Sequence, residues 1–400
     1  MLSTANVLWT FERGSAKAKH FIISPSTTLR VTVLSMTIKK TIFAPKINKM
    51  EQTPLVIYGA YGYTGELITE NAVNKGWKPL LAGRNESKLR ALAERFGLEY
   101  EVFDVNEKEK VVAVLKDKKA LLNCGGPFAH TFKQMIKACL QTGTHYLDIT
   151  GEIGVFEGAA AKGEEAKKAG IMLMPGTGFD VVPSDCLAAY LKQQLPDATH
   201  LKLAFTSFGR MSRGTSLTMA ENLGAGGAVR ENGKIIKVPN AHKVQEFSFG
   251  GKNMLCATIP WGDVSTAWHS TGIPNIETYV SASPALVRSM KLGNYLGWLL
   301  SSAPVQNYLK ATINKREPGP DEKARKAGYS LFYGEVMNAK GKKKAAGMKS
   351  PEGYTLTAAT AVNITGKVLA GNFKTGFMTP SMAYGADLIL ETKGTERYDV

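Results

Sequence analysis

Cysteine is scarce in this chain: four residues, Cys124, Cys139, Cys186 and Cys256, stand among 400. None forms a CxxC pair and none has a histidine at zinc spacing, so the pattern indicates neither a disulfide framework nor a metal site and points to a reducing compartment. Long apolar runs are missing too. Without about 18 uninterrupted apolar residues, no segment spans a bilayer as a simple helix. Acids are the third shortage: 50 Lys and Arg face 34 Asp and Glu, a formal charge of +16. The deficit is uneven, because residues 1–49 hold eight Lys or Arg and the single acid Glu12. What remains, 44% apolar and 21% charged, excludes a disordered chain. Its length exceeds one ordinary core and suggests roughly two or three domains at about 150 residues each.

Residues 1–49 are rich in Ser and Thr and lack the continuous apolar stretch of a secretory signal, which is the composition of a transit peptide. The alternative is that Met50, directly before EQTPLVIYGAYGYTG, is the true start. On either reading the segment stands apart from the fold.

From Leu55 short apolar runs (LVIY, PLLAG, EYEVFDV, ALLNCGG, HYLDIT, IMLMPG) alternate with helical patterns near 65–75, 87–96, 107–116, 131–142 and 157–169. Buried strands separated by helices of such length need crossover connections, hence a parallel sheet covered on both faces. The expected fold class is α/β, a Rossmann-type doubly wound sheet over residues 50–183, joined to a smaller α+β substrate domain over 184–400. The C-terminal part of the latter is a candidate to pack back on the former. In the second half the pattern predicts a helix at 184–194, strands in LKLAFTS and IETYVSAS, and a hairpin with LFYGEVMNA on one arm and YTLTAATAV on the other. A solvated loop is expected at 315–326.

GAYGYTG at 59–65 sits between an apolar strand and a helix. Gly59 suits the tight turn, Gly62 lets backbone N–H groups approach a diphosphate, and Gly65 permits close helix packing, with the phosphate at the positive helix end. Tyr61, Tyr63 and Thr64 complete the motif. The second strand ends in LAGRNESK. Where an acid would bind the free ribose hydroxyl of NAD, this chain offers Arg84, then Asn85, Ser87 and Lys88, which favours the 2'-phosphate of NADP. Asp104 either faces the adenine or caps a helix. Gly125, Pro127 and Phe128 end the fourth strand, and His145, Tyr146, Asp148 and Glu152 the fifth, on the expected nicotinamide side.

Together GAYGYTG, LAGRNESK, NCGGPF, GTHYLDITGE and PGTGFDVVPSD resemble the saccharopine dehydrogenase-like NADP-binding oxidoreductases, within them the branch that includes trans-acting enoyl reductases. GTSLTMAENL, PWGDVSTAWHSTGIPNIETY, PEGYTLTA and GFMTPSMAYGADLIL extend the likeness to about residue 395. The resemblance implies an NADP-binding domain and hydride transfer at a cleft. It also implies an acyl or polyketide-type enoyl substrate, a thioester presented by a partner synthase, or alternatively a saccharopine-type amino-acid adduct. A non-catalytic NADPH-binding sensor or scaffold is the third reading.

Reducing an enoyl thioester needs a proton donor and enolate stabilisation. Tyr146, Asp148 and Asp180 are the candidate catalytic residues. Tyr146 competes with simple core packing, His145 should face the other way along the strand, and Asp185 reads as a helix cap beside Ser184. Asp263 and His269 either line the cleft or are turn and surface residues, and Arg210, Arg213 and Arg230 are candidates for a carboxylate clamp. The stretch ALVRSMKLGNYLGWLLSSAPVQNYLK reads first as a buried helix, or else as an apolar helix meeting a lipid chain or membrane interface. Lys342–Lys344 read as a solvated hairpin edge rather than a nucleic-acid patch. A cytoplasmic protein with at most peripheral membrane contact is expected, organellar only if residues 1–49 are a genuine transit peptide.

Overall fold

The computed structural model describes residues 52–221 and 224–400; the N-terminal segment and both readings of it lie outside the described residues. Six short strands come first: β1 (Leu55–Tyr58), β2 (Leu80–Gly83), β3 (Tyr100–Val102), β4 (Ala120–Asn123), β5 (His145–Asp148) and β6 (Met172–Met174). Between them run α1 (Tyr63–Asn74), α2 (Glu86–Phe96), α3 (Lys108–Leu115), α4 (Phe132–Thr142), α5 (Ile153–Ala160) and α6 (Gly163–Lys168), and α7 (Val182–Gln194) follows β6. The single helix expected at 157–169 is thus two, broken between Ala160 and Gly163.

Every strand pair here is parallel. Alternate side chains feed opposite faces, which is why the strands read as continuous apolar runs. Leu55 and Ile57 enter the core shared with α1 and α2, whereas Val56 and Tyr58 enter the one shared with α3 and α4.

The later strands are β7 (Ala198–Phe208), β8 (Gly227–Glu231), β9 (Lys234–Val238), β10 (Val244–Phe249), β11 (Lys252–Thr258), β12 (Asn275–Ser281), β13 (Tyr329–Asn338), β14 (Lys343–Pro351), β15 (Gly376–Phe377) and β16 (Glu396–Asp399). The helices among them are α8 (Arg213–Glu221), α9 (Asp263–Thr271), α10 (Pro284–Gly293), α11 (Gly297–Leu300), α12 (Ala303–Asn314), α13 (Glu322–Ala327), α14 (Gly353–Leu369) and α15 (Pro380–Tyr384). A mixed sheet runs β10-β11-β12-β7-β13-β14-β16, with β8 and β9 attached through β12. Only its central pair β12 and β7 is parallel.

β15 belongs to the first sheet. It pairs with β6 through Gly376 with Met172 and Phe377 with Leu173, so that sheet has seven strands in the order β15-β6-β5-β4-β1-β2-β3. One continuous core joins the two sheets: Leu187 and Leu191 of α7, Leu356 and Ala361 of α14, and Leu203, Phe332 and Val336 of the mixed sheet all lie in it. Gly334 of β13 makes the contact possible, because a methyl group there would stand 2.6 Å from Leu191 Cδ1.

Three expectations are corrected. The hairpin partner of β13 is β14, and YTLTAATAV lies in α14, a helix capped by the Glu352 carboxylate, which accepts from the Tyr354 and Thr355 N–H groups. Its β-branched residues suggested a strand; burial of the helix on nearly all sides overrides that preference. The apolar stretch after Ser283 forms three short helices, α10 to α12, whose large side chains are mostly exposed, with only Val287 and Ile313 buried. Within the loop expected at 315–326, Asp321 caps the short α13. Lys342 sits in the β13–β14 turn, and Lys343 and Lys344 begin β14 outside its pairing with β16.

Candidate cofactor cleft and active site

At the tip of β1 the chain turns through Gly59, whose φ of +72° is the left-handed region. A methyl group on Gly59 would meet Gly125 N at 2.7 Å, and one on Gly65 would collide with the Gly59 carbonyl. The tips of β1 and β4 therefore interlock through two bare backbones. Gly62 caps α1 with no side-chain acceptor, and a methyl on it would touch only the Gly59 carbonyl, at 3.2 Å. The first turn of a twelve-residue helix thus opens onto a side-chain-free surface, which fits a diphosphate held by N–H groups and the helix dipole.

The tip of β2 and the first turn of α2 supply the cations. Arg84 has 68% of its side chain exposed and faces Asp104 at 3.8 Å, while the Tyr61 ring lies on bare Gly83 and Lys88 Nζ stands 5.9 Å from that ring. Two cations flanking an aromatic ring at this strand tip fit a ribose 2'-phosphate beside adenine. Asn85 has a different role: its Oδ1 accepts from Lys88 N and the Ser87 hydroxyl, capping α2. Asp104, by contrast, caps no helix, since its Oδ1 accepts from Asn106 N and Nδ2 in a local turn. It remains within reach of the adenosine end through Arg84.

Toward the nicotinamide end, the loop after β4 holds Gly125, Pro127 and Phe128. Glu152 ties it down, accepting from Phe128 N at 2.8 Å and Ala129 N at 2.9 Å. Tyr146 does not reach the cleft. It is fully buried in the core, with its hydroxyl donating to Asp148 Oδ2 at 2.7 Å, so the expected contact with substrate is corrected. Asp148 is equally enclosed and accepts from the Thr150 and Gly176 N–H groups, which makes it a brace between the β5 and β6 loops rather than a group that meets substrate. His145 points to the opposite face, accepts from Met172 N, and is driven down to about 4 by burial, so it is neutral.

Asp180 alone of the three candidate catalytic residues keeps part of its surface open. Its loop is fixed from three sides. Thr360 Oγ1 of α14 donates to Thr177 O, Phe179 N donates to Thr357 Oγ1, and Trp261 Nε1 donates to Asp180 O at 2.9 Å. Bare Gly151 faces the carboxylate; a methyl there would lie 2.6 Å from Asp180 Oδ2. Burial, and then the Glu152 charge, push the Asp180 carboxyl up to about 7. Burial also carries the Cys124 thiol far above its usual value, which rules out a thiolate nucleophile near neutrality.

The remaining acids are structural. Asp185 lies within α7, not at its cap, and accepts from Ser381 N of α15 at 2.7 Å. Asp263 is fully buried beside Asp185 and Asp180, and that burial pushes its carboxyl well up, while His269 packs on Phe377 and faces Glu157 at 3.9 Å. Neither opens to the cleft.

Arg230 is buried between Glu157, Val264 O and Gly233 O. It therefore cannot join Arg210 and Arg213 in a clamp. Those two instead meet Arg316, which the sequence did not single out, around a cavity of about 220 Å³ that Ser216, Glu317 and Gly319 also line. Gly319 packs on the Tyr63 ring, and the Tyr63 hydroxyl donates to Pro320 O, so the cavity adjoins the start of α1. Trp261, Thr357 and Thr360 escaped the sequence reading as well, two of them because their helix read as a strand.

Residues 55–174 match the family described as the saccharopine dehydrogenase NADP binding domain. Among curated relatives, the mouse saccharopine dehydrogenase-like oxidoreductase is 31% identical over 36% of this chain and 39% of its own length. The trans-acting enoyl reductase of Mycobacterium leprae is 30% identical over 33% of each. The lipid droplet localized protein of Caenorhabditis elegans is 26% identical over 62% of this chain and 64% of its own. In each case the match spans less than two thirds of the relative. Among solved structures, saccharopine dehydrogenase (L-Glu forming) from Saccharomyces cerevisiae superposes with a TM-score of 0.59, covering 86% of this chain and 99% of that one at 15% identity, so the whole two-sheet architecture is shared. The interlocked glycine turn at the tip of β1 thus lies within the stretch, residues 55–174, that is similar to the saccharopine dehydrogenase NADP binding domain.

Proposed function

We propose that the protein is an NADPH-dependent oxidoreductase that reduces a carbon–carbon double bond in an acyl substrate. The observation that carries this reading is Asp180, a half-buried residue whose carboxyl is pushed up to about 7 by burial and whose backbone carbonyl accepts from Trp261 Nε1. Bound NADPH would supply a hydride to the β-carbon. Asp180 holds the complementary proton on a carboxyl oxygen and delivers it to the α-carbon, leaving a carboxylate that solvent reprotonates. Glu152 keeps the β4 loop in place through two N–H groups, and Asp148 sets the spacing of the β5 and β6 loops. An acyl thioester presented by a partner synthase is the substrate form we favour, supported by the likeness to the trans-acting enoyl reductase.

A second reading, a saccharopine-type C–N oxidoreductase on an amino-acid adduct, draws support from the convergence of Arg210, Arg213 and Arg316 near α1, which suits carboxylates. NADPH oxidation measured with enoyl thioesters and, separately, with imine-forming pairs of amino acid and keto acid decides between them. Turnover of the enoyl thioesters alone supports the first; turnover of the amino-acid pairs alone reverses the order. Absence of hydride transfer to any acceptor would favour a binding protein over an enzyme.

A further inference from the structure

We infer that α10 to α12 form a face that docks on an anionic phospholipid surface, an inference independent of the reaction proposed above. Leu292, Tyr295, Trp298 and Tyr308 are 59%, 81%, 75% and 72% exposed, with Leu286 and Leu299 also open. Such a concentration of large apolar side chains on one set of helices marks an interaction surface. From residue 284 to 316 the chain has no acid and five cations, Arg288, Lys291, Lys310, Lys315 and Arg316. Among the described residues, only Lys310 of these has an ion-pair partner, Glu221 of α8.

The face is preassembled. Gln306 Nε2 donates to Ala220 O, Asn294 Nδ2 donates to Asn240 O, and Val287 is seated in a small core with Ala257 and Ala282. Docking therefore costs little ordering entropy. None of the three helices is long enough to cross a bilayer, and no described helix is both long and apolar enough to do so. They suit a position in the plane of the interface, with Tyr and Trp rings at headgroup depth and Lys and Arg against the phosphates.

The charge pattern selects the occupant. A second copy docked about a twofold axis would bring the same acid-free cationic stretch against itself, whereas a surface of anionic headgroups complements it.

The test is co-sedimentation of the full chain with phosphatidylcholine vesicles that contain or lack phosphatidylserine. Binding should be at least about tenfold stronger with phosphatidylserine and weaken as salt is raised. The triple substitution Leu292→Ala, Tyr295→Ala, Trp298→Ala, at exposed positions, should lower partitioning about tenfold or more with NADPH affinity unchanged. Arg288→Glu with Lys291→Glu should abolish the phosphatidylserine preference. Four outcomes would overturn the inference: no sedimentation with either vesicle, equal binding to both, full binding by the triple variant, or a concentration-dependent dimer that the triple variant dissolves.

Discussion

Arg84, Gly65 and Asp180 divide the work of the cleft at the scale of single residues, and each has its own test. Arg84→Glu should weaken NADPH binding by roughly ten- to a hundredfold while leaving NADH affinity nearly unchanged, because only the phosphorylated ribose loses a charge-assisted partner. Fluorescence titration with both nucleotides reads it, and equal losses would show that Arg84 does not touch the extra phosphate. Gly65→Ala presses a methyl against the Gly59 carbonyl. It should cost about 1–3 kcal/mol in denaturant unfolding and weaken the nucleotide at the same time. Asp180→Asn keeps the size and the Trp261 contact, so it should leave NADPH binding intact, lower kcat by roughly a hundredfold or more, and remove the fall in activity that the parent shows as pH rises through about 7.

The same carboxyl, with Asp148, shapes stability. Both are raised from the ordinary value of 3.8 to about 7, so the folded chain binds these protons more tightly than the unfolded one. Their stabilising contribution is complete below about pH 4 and is lost as pH climbs through 7. Asp180→Asn should therefore flatten the decline in denaturant midpoint between about pH 4 and about pH 7. The glycines and Arg84 were legible in the sequence because a motif fixes their place relative to strand ends. Tyr146 was not, since β5 is buried on both faces and no pattern says whether a tyrosine there ends in the core or in the cleft.

Elements carry the next level, and α14 and the α5–α9 junction show its logic. α14 lies against α1, with Gly366 beside the Trp77 ring, and its Thr357 and Thr360 grip the loop that carries Asp180. At the junction, the His269 imidazole, the Ser265 hydroxyl and the Arg230 guanidinium hold the Glu157 carboxyl down at about 2. Arg230 also stacks over Trp268 at 5.3 Å. Arg230→Ala should destabilise the protein by about 2–3 kcal/mol, below the about 3–5 kcal/mol of a wholly buried pair because 44% of the Glu157 side chain is exposed. Adding Glu157→Gln should recover part of that loss in the same unfolding experiment. The strands and helices up to α7 were readable because each is a local period bounded by turn residues. α14 was misread for a physical reason: a helix buried on nearly all sides loses the polar stripe that identifies helices, and Thr, Val and Ile then resemble a strand.

At the scale of the whole molecule the two sheets cannot be separated at the point where the sequence pattern changes. β15, far down the chain at Gly376–Phe377, completes the first sheet, and α14 covers the core face of α1. A fragment ending at residue 183 should consequently expose that face, bind more of a hydrophobic dye per residue than the full chain does, and fail to bind NADPH, which the full chain binds. That the C-terminal part packs back on the sheet could be anticipated from the sequence, but the two-residue length of β15 left no periodic signal to locate it.

Ribosomal synthesis gives this closure a temporal meaning. The glycine turn emerges early, yet the strand and helix that finish its scaffold are translated only near residue 377. A nascent chain would thus carry an incomplete nucleotide cradle until α14 and β15 have followed, so that cofactor capture would report that these two elements have left the ribosome.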